Sequence, residues 1–267
     1  MEQADDLGRG LSPGDPHYRA YVGPPEKYDL VAGMQFNLLT ALGLRESHFL
    51  LDIGCGSLRA GRLLIPYLLP GRYFGIEPNE WLVQEGIEKE IGRDLVRLRE
   101  PRFTSVSDFN LRIFGQEFDF LLAQSIFSHA PTEAIRTCLR EARAVLAPEG
   151  IFAATFFQGT EDHRGQDWVY PGCVWYRLEH LRDLGREFGL DCEEVDWPHP
   201  NGQTWVVFTH SDRHTTWPRP VSQMTVDRLE AEVEAWKGRH AELYGHPWVR
   251  VGRTINGWQR ALFARSR

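Results

Sequence analysis

The sequence predicts an α/β fold in which a mostly parallel sheet alternates with helices. Five short apolar runs are typical of buried strands, and they cover residues 49–53, 73–76, 102–106, 118–125 and 151–157. Segments with helical spacing separate most of them, which favours parallel strands joined by crossovers. Two later runs, 190–197 and 204–208, flank a turn rich in Pro and Gly and predict an antiparallel hairpin.

Composition limits the classes of function. The 267 residues, 42% of them hydrophobic, suffice for one full α/β domain with additions. There is no apolar run of about 18 residues, so no membrane span is predicted, and the acidic N-terminus lacks the apolar core of a secretory signal. The net charge of -7 disfavours a nucleic-acid partner. We therefore expect a cytoplasmic protein with a small-molecule partner.

Neither a metal site nor a disulfide framework is predicted. The four cysteines are widely spaced and form no C-x-x-C pair. His199, His210 and His214 lack the spacing of a metal-binding triad. The chemistry of the chain must therefore be sought in its other side chains and in an organic cofactor.

A glycine-rich turn follows the first apolar run. The run ends in Asp52, and Gly54 and Gly56 follow one residue apart. Glycine has no Cβ and therefore allows a ligand to approach the backbone closely. The segment 57–69 is predicted to be a helix with Ser57 as its N-cap, so that the positive end of its dipole faces the same ligand. The pattern predicts a nucleotide-type site.

The type of nucleotide follows from what surrounds this turn. A dinucleotide site would carry a third glycine where Arg59 stands. The carboxylate of Asp52 suits a ligand with an ammonium group and a cationic centre better than it suits a pyrophosphate. The second strand, 73–76, leads into Glu77 and Pro78, and an acid at this point can accept hydrogen bonds from both ribose hydroxyls.

The motifs Asp-Ile-Gly-Cys-Gly at 52–56 and Gly-Ile-Glu-Pro-Asn at 75–79 resemble those of class I, Rossmann-like S-adenosylmethionine-dependent methyltransferases. The resemblance covers about residues 45–210. It implies a Rossmann-like, seven-stranded, mostly parallel sheet of order 3-2-1-4-5-7-6 with an antiparallel terminal hairpin. It also implies S-adenosylmethionine as cofactor and S-adenosylhomocysteine as product. The chain departs from the pattern at 57–59, where many members carry another glycine.

The resemblance also implies cofactor roles by position. The first motif faces the methionyl part, the acid after strand two holds the ribose, and the end of strand four lines the methyl-transfer site. The loop after strand three supplies an acceptor for the adenine amino group and an apolar neighbour, although its acid, Asp108, could instead cap a short helix. The implied cofactor-binding residues are Asp52, Gly54, Gly56, Arg59, Glu77, Pro78, Asp108, Phe109, Gln124 and Ser125.

Candidates for the acceptor site lie in four places. His129 follows strand four and is either a base or a structural residue. The segment 158–175 follows strand five and is rich in polar, aromatic and ionisable groups, so it is either a capping loop or a plain surface loop. The helix 28–42 and the tyrosines near its start either cover the site or only pack, and the tip of the hairpin reaches the site or points away from it. The catalytic candidates are His129, His163 and Tyr170, and the substrate-binding candidates are Tyr21, Tyr28, Asp167, Trp168 and His199.

We divide the chain into a flexible tail (1–16), an N-terminal helical cap (17–44), a cofactor-binding core (45–210) and a C-terminal helical extension (211–267). A helix predicted over 221–244 either packs within the chain or forms the contact of a homodimer. The predicted function is methyl transfer to a small molecule, by O- or N-methylation in secondary metabolism. One alternative is a protein of the same fold that binds the cofactor without transferring methyl, as a binding or partner-activating subunit. A nicotinamide-dependent oxidoreductase is disfavoured by Arg59 and by the terminal hairpin.

Overall fold

The computed structural model describes residues 7–211, so the predicted C-terminal extension and its helix over 221–244 lie outside the described residues. The strands are β1 (Leu50–Ile53), β2 (Tyr73–Ile76), β3 (Arg102–Thr104), β4 (Phe118–Ala123), β5 (Leu146–Gln158), β6 (Trp175–Tyr176), β7 (Leu190–Val195) and β8 (Thr204–His210). The helices are α1 (Tyr28–Ala41), α2 (Gly61–Tyr67), α3 (Glu80–Gly86), α4 (Arg93–Arg99), α5 (Thr132–Val145) and α6 (Leu178–Glu187). Short 3-10 helices cover Pro25–Lys27 and Leu111–Phe114, and a π-helical turn covers Ile87–Ile91.

The sheet confirms the predicted fold class. Its strand order is β3-β2-β1-β4-β5-β8-β7, and the two-residue β6 pairs with β5 off this path. Strands β1 to β5 are parallel to one another, whereas β8 is antiparallel to both β5 and β7. Without the short β6, this is the predicted order 3-2-1-4-5-7-6 with its antiparallel hairpin. None of the helices within residues 7–211 combines the length and the apolar character that a bilayer crossing requires.

Both faces of the sheet are covered, which explains why its strands are continuous apolar runs. Successive side chains of a strand point to opposite faces. Along β4, Leu121 therefore packs into one apolar cluster and Leu122 into the other. The first cluster includes Leu139 of α5, and the second includes Leu38 of α1 and Leu64 of α2. The sheet is thus a rigid central layer between two layers of helices.

The register of the parallel strands creates the site. Ile53 lies opposite Ile76, and Ile76 lies opposite Thr104, so that β1, β2 and β3 end at the same level. Strand β4 lies beside β1 in the same direction. The residues that follow these four strands are therefore brought to one edge of the sheet, although they are distant in sequence.

The helix that follows β1 is shorter than predicted. Helix α2 begins at Gly61, and the predicted N-cap at Ser57 is wrong because residues 57–60 form turns. Leu58 has a φ of 60°, a left-handed conformation that interrupts a right-handed helix, and its side chain is fully buried. The glycine turn is consequently followed by a second turn, and the start of the helix lies four residues later than expected.

Helix α3 leads directly into the π-helical turn, and α4 follows it before β3. Two segments further along the chain differ from the predictions. Strand β5 begins at Leu146 instead of residue 151, so it includes the Pro-Glu-Gly segment at 148–150. The capping loop contains β6, which the irregular sequence of that region did not indicate.

Candidate active site

A cavity of about 370 Å³ opens at the carboxyl ends of the central parallel strands. Open α/β sheets bind their ligands at this position, and sites for small molecules have volumes of about 300–1,000 Å³. The lining residues are Tyr21, Val22, Ile53, Gly54, Gly56, Arg59, Ile76, Glu77, Pro78, Asn79, Leu82, Val106, Ser107, Phe109, Gln124, Ser125, Ile126, His129, Trp168 and Tyr170.

Most of the residues predicted from sequence meet in this cavity. The predicted cofactor residues that line it are Gly54, Gly56, Arg59, Glu77, Pro78, Phe109, Gln124 and Ser125. Four of the predicted catalytic and substrate residues also line it, and these are His129, Tyr170, Tyr21 and Trp168. The predicted residues that do not line it are Asp52, Asp108, His163, Tyr28, Asp167 and His199.

The glycine turn needs its two glycines for conformation and for space. Gly54 has a φ of 72° and Gly56 a φ of 54°, both in the left-handed region. A Cβ on Gly54 would collide with Cδ1 of Ile126, and one on Gly56 would lie 2.7 Å from Cγ1 of Val22. The N–H of Gly54 donates to the carbonyl oxygen of Ile76 at 2.8 Å, so the turn is attached to the end of β2.

Glu77 joins the glycine turn to the end of β2. Its Oε2 accepts a hydrogen bond from the Gly56 N–H at 3.0 Å. Its Oε1 accepts one from the backbone N–H of Asn79 at 2.9 Å and one from Asn79 Nδ2 at 3.0 Å. Burial raises the pKa of Glu77, and these three bonds oppose that shift by stabilising the carboxylate. A carboxylate has about four acceptor sites, so one remains for a ligand hydroxyl.

Asp52 lies behind the glycine turn, not in the wall of the main cavity. It lines an adjoining cavity of about 20 Å³, which it shares with Gly54, Gly56 and Arg59. A space of this size holds about one water molecule or one small polar group. The hydroxyl of Tyr73 donates to Asp52 Oδ2 at 2.8 Å, and burial nevertheless raises the pKa of Asp52 to about 7.

Arg59 is a buried cation in the cavity wall. Its side chain donates from Nη1 to the carbonyl oxygen of Val22 at 2.6 Å and from Nη2 to Oε1 of Gln124. Its Nε has no hydrogen-bond partner, and no carboxylate within residues 7–211 forms an ion pair with it. Burial lowers the pKa of the guanidinium. A buried positive charge without a counter-ion suits the anionic group of a ligand.

The tip of the β7–β8 hairpin reaches the end of β4. Gln203 donates from Nε2 to Ser125 Oγ at 2.6 Å, and Gln124 Nε2 lies 3.1 Å from His199 Nε2. Burial, with Arg59 and Lys27 nearby, lowers the pKa of His199 to about 3, so the ring is neutral. His199 thus lies behind Gln124 and supports the cavity wall, and it does not line the cavity itself.

Two non-glycine residues of the cavity have left-handed backbone conformations. Ser125 has a φ of 60° and Phe109 a φ of 56°. Such conformations are unfavourable for residues with a Cβ and concentrate at functional sites. The backbone N–H of Ser125 is fixed by a hydrogen bond to Thr155 Oγ1 at 2.7 Å. These strained turns direct the Ser125 and Phe109 side chains into the cavity wall.

His129 lines the cavity and contacts the capping loop through Nδ1. Its Nδ1 lies 2.6 Å from the carbonyl oxygen of Gly172 and 3.1 Å from that of Val169. Carbonyl oxygens only accept hydrogen bonds, so Nδ1 carries the proton and the lone pair of the neutral ring is on Nε2. The ring of Tyr170 lies edge-on to His129 at 5.1 Å, and burial raises the pKa of Tyr170 to about 12. Tyr170 is consequently a hydrogen-bond donor.

Residues 17–23 form a segment, the N-terminal strap, that covers one side of the cavity. The ring of Tyr21 lies 5.3 Å from that of Trp81 and 5.3 Å from that of Tyr170, which joins the strap to the capping loop. The buried guanidinium of Arg19 contacts Glu90 Oε1 at 2.6 Å, and the same carboxylate contacts Arg62 at 3.2 Å. Glu90 is presented by the π-helical turn. The strap is thus held by ion pairs.

The remaining predicted residues serve structure or lie at the surface. Tyr28 is fully buried and donates to the carbonyl oxygen of Ser57 at 2.9 Å, so it packs and does not face the cavity. Asp108 is exposed, and its Oδ1 accepts a hydrogen bond from the Asn110 N–H at 3.0 Å, just before the 3-10 helix Leu111–Phe114. This bond closes a local turn, and the capping alternative is also wrong because the N-cap of that helix is Asn110, which has no side-chain capping bond. Asp167 is exposed and His163 is half-buried, both outside the cavity.

Some residues of the site were not predicted. Val22, Asn79, Ile126 and Leu82 line the cavity, and Gln203 supports it from the hairpin. Asn79 could have been found, because it completes the second motif. Val22 and Ile126 could not, because their role follows from their contact with the two glycines. Within residues 7–211, no group of three or more His, Cys, Asp and Glu side chains is placed to hold a metal ion.

Comparison with known proteins agrees with this geometry. Residues 51–152 match the family model of a methyltransferase domain. No curated protein sequence matches the chain. Solved structures of similar fold include magnesium protoporphyrin IX methyltransferase from Synechocystis PCC 6803 with bound S-adenosylhomocysteine. That protein is 16% identical, the match covers 70% of this chain and 87% of that chain, and the TM-score is 0.53.

Two further structures share the fold at similarly low identity. DesVI of Streptomyces venezuelae is 15% identical, with 69% of this chain and 92% of that chain covered and a TM-score of 0.52. The sugar N-methyltransferase KedS8 from Streptoalloteichus sp ATCC 53650 is 14% identical, with coverages of 69% and 89% and a TM-score of 0.51. Residues 51–152 thus carry a methyltransferase domain, and the sheet order shows that this chain has the Rossmann-like fold of the class I methyltransferases.

Proposed function

We propose that this chain transfers a methyl group from S-adenosylmethionine to a small-molecule acceptor by O- or N-methylation. The observation that carries the proposal is the wall of the cavity, where the glycine turn, Glu77 and the unpaired cation Arg59 lie together. The acceptors named for two proteins of the same fold, magnesium protoporphyrin IX and a sugar, are small molecules, and this supports the proposed acceptor class.

The residues of the wall match the parts of this cofactor. Glu77 would accept a hydrogen bond from a ribose hydroxyl at its remaining acceptor site, and Phe109 would lie beside the adenine ring. Arg59 would pair with the carboxylate, and Asp52 would face the ammonium group through the small polar cavity. When bound, the cofactor supplies a methyl group on a cationic sulfur whose neutral product is a good leaving group. Asp108 is not part of this assignment.

The protein contributes position, exclusion of water and a base. The N-terminal strap and the capping loop meet at the contact between Tyr21 and Tyr170 and cover the cavity. A covered site holds two reactants in line and keeps water away from them. His129 Nε2 would accept the proton that a neutral acceptor loses, and Tyr170 would donate a hydrogen bond to that acceptor. The free basic nitrogen of His129 favours catalysis over a protein that only binds the cofactor.

Calorimetric titration with S-adenosylhomocysteine tests the cofactor assignment. We expect wild-type protein to bind it, and we expect Glu77→Ala to weaken binding by about tenfold or more because a charged acceptor for a ribose hydroxyl is lost and the Gly56 N–H loses its partner. Glu88→Ala is the matched control, since Glu88 is 49% exposed and pairs with Arg93 outside the cavity. A response to NADH, or no response to S-adenosylhomocysteine, would contradict the proposal.

A further inference from the structure

We propose that the acceptor is a planar hydroxyl compound of the phenol class, held by the aromatic side chains of the cavity mouth with its hydroxyl group on His129. The inference rests on the proposed methyl transfer and names the acceptor of that reaction. It depends on three properties of one part of the cavity, which we call the acceptor end and define as Tyr21, Ile126, His129, Trp168 and Tyr170.

The first property is exposed aromatic surface. Trp168 is 50% exposed and Tyr170 is 42% exposed, although both line a cavity. The rings of Tyr21 and Tyr170 are 5.3 Å apart and tilted by 45°. Apolar surface left open at the mouth of a cavity marks a binding site, and flat aromatic side chains bind flat partners well because they lose little conformational entropy. An aliphatic acceptor would leave much of this surface in contact with water.

The second property is the absence of an available negative charge. Within residues 7–211, the Asp, Glu, Lys and Arg side chains that line the cavity are Glu77 and Arg59. Glu77 already accepts three hydrogen bonds from the protein, and Arg59 is positive. A protonated amine entering the acceptor end would meet no carboxylate to replace its water. Aromatic faces also attract cations, so amines are the competing class in the test below.

The third property is the tautomer of His129. Its Nδ1–H is held by the Gly172 carbonyl oxygen at 2.6 Å, which leaves the lone pair on Nε2. A phenol has a pKa of about 10, like the tyrosine side chain, and transfers a proton to an imidazole far more readily than an aliphatic alcohol does. Of the two kinds of hydroxyl group, that of a phenol is therefore the one from which His129 can accept a proton.

The reaction is balanced without any additional reactant. The acceptor O–H bond breaks and its proton goes to His129 Nε2. A lone pair of the oxygen forms the new O–CH₃ bond while the S–CH₃ bond breaks, and the electron pair of that bond stays on sulfur. The sulfonium becomes a neutral thioether, and the proton passes from His129 to water when the product leaves.

Binding to protein saturated with S-adenosylhomocysteine tests the acceptor class directly. The probes are 2-naphthol, 2-naphthylmethylamine and cyclohexanol, followed by calorimetry and by quenching of tryptophan fluorescence. We expect saturable binding of 2-naphthol and weak or absent binding of the other two. Tighter binding of the amine, or no binding of the phenol, overturns the inference. Because the protein is first shown to bind S-adenosylhomocysteine, this failure is distinct from failure of the proposed methyl transfer.

A pair of tryptophan variants tests the place of binding. Trp168→Ala should weaken 2-naphthol binding by about tenfold, as expected for loss of a large aromatic contact. Trp175→Ala is the matched control, because Trp175 lies at the end of the same loop, is 51% exposed and does not line the cavity. Equal effects of the two substitutions would remove the acceptor end from the proposal. Melting temperatures without ligand show that both variants remain folded, and the affinity of Trp168→Ala for S-adenosylhomocysteine is measured separately because the Trp168 ring stacks on Phe109 at 6.2 Å.

His129→Asn tests the base. The amide N–H of asparagine can still donate to the Gly172 carbonyl oxygen, so the capping loop stays anchored while the basic nitrogen is lost. Turnover of 2-naphthol should fall by about 10²–10⁴-fold with its affinity unchanged. The loss should shrink as pH rises, because the phenol then ionises without help. A loss that is independent of pH would show a structural role and would contradict the assignment of the base.

Discussion

Nη1 of Arg59 donates a hydrogen bond at 2.6 Å to the carbonyl oxygen of Val22, which joins the wall of the cavity to the strap that covers it. The same guanidinium donates to Gln124, whose amide lies against the hairpin tip. Arg59 thus contacts the strap, the end of β4 and, in the proposed complex, the cofactor. Its position replaces the third glycine of a dinucleotide turn, and a side chain of this size is accommodated because the chain turns at Leu58 before α2 begins.

Replacement of Arg59 by methionine separates its role in binding from its role in stability. Methionine removes a buried charge but leaves the Val22 carbonyl oxygen and Gln124 Oε1 without their donor, so we expect the free energy of unfolding of Arg59→Met without ligand to be lower by about 1–3 kcal/mol. The affinity for S-adenosylhomocysteine should fall by about tenfold or more, because a charge-assisted hydrogen bond is lost.

The matched ligand for this test is 5′-methylthioadenosine, which lacks the amino-acid part of the cofactor. Its affinity should be the same for wild type and Arg59→Met in a calorimetric titration. If both ligands lose affinity to the same extent, Arg59 supports the cavity as a whole and does not bind a carboxylate.

The stability of the protein without ligand should depend on pH through Asp52. Burial raises the pKa of Asp52 to about 7, above the value of 3.8 for an unperturbed carboxyl. The folded state therefore binds this proton more tightly than the unfolded state does. The resulting contribution to the free energy of unfolding is full below pH 3.8 and is lost as pH rises from 3.8 to about 7. Asp52→Asn keeps an acceptor for the Tyr73 hydroxyl and cannot ionise, so it should match wild type at about pH 3.5 and exceed its melting temperature by a margin that grows up to about pH 7.

Differential scanning calorimetry across this range, with Asp94→Asn as the control, measures the effect. Asp94 has a 93% exposed side chain at the surface, so its replacement should leave the pH dependence unchanged. A difference in melting temperature between Asp52→Asn and wild type that does not vary with pH would show that Asp52 is not the titrating group.

The strap depends on the ion pair between Arg19 and Glu90. Both side chains are less than one-tenth exposed, and their atoms are 2.6 Å apart. Removing Glu90 leaves the buried Arg19 with the exposed carboxylate of Asp29 at 3.4 Å, so Glu90→Gln should lower the free energy of unfolding by about 3 kcal/mol. Because the strap then opens more often, S-adenosylhomocysteine should dissociate faster from the variant.

Glu88→Gln is the control, since it lies on the same π-helical turn with a half-exposed side chain. Stopped-flow dissociation of the ligand and urea unfolding provide the two measurements. If Glu90→Gln lowers stability without any change in the dissociation rate, the strap does not control release of the ligand.

The fit between Gly56 and Val22 can be tested with a double-mutant cycle. Gly56→Ala places a Cβ 2.7 Å from Val22 Cγ1 at a residue with a positive φ, so we expect a loss of stability of about 1–3 kcal/mol. Val22→Ala removes the colliding methyl group. The double variant should therefore recover part of the loss, and the φ strain alone should remain. Additive effects of the two substitutions would show that the side chains do not meet.

Local motifs were predictable from the sequence, and contacts between distant residues were not. The sequence was sufficient to place Gly54, Gly56 and Glu77 in the cavity wall. Each is recognised by its residue type and by its position directly after a predicted strand. Arg59 was a candidate, but its burial depends on Val22 and Gln124, which lie 37 and 65 residues away in sequence. No local pattern contains that information.

Asp108 and His199 show the limit of prediction by position. The place of Asp108 after β3 was predicted correctly, yet its side chain bonds to the backbone two residues later and turns away from the cavity. His199 was considered as a substrate contact, and burial places it behind Gln124 as a neutral ring. In both cases the segment lies where it was expected. The side chain, however, is held by a partner that its position in the sequence does not identify: the Asn110 N–H for Asp108 and Gln124 for His199.

The attachment of the capping loop has a consequence for the evolution of new activities. The Val169 N–H donates to the His129 carbonyl oxygen at 2.9 Å, and the Val174 N–H donates to that of Ser128 at 2.8 Å. These are main-chain bonds, which almost any amino acid can make. Side chains such as Trp168 and Tyr170 can therefore be exchanged while the loop keeps its anchorage. Loop libraries randomised at these two positions should diversify the range of acceptors on an unaltered sheet.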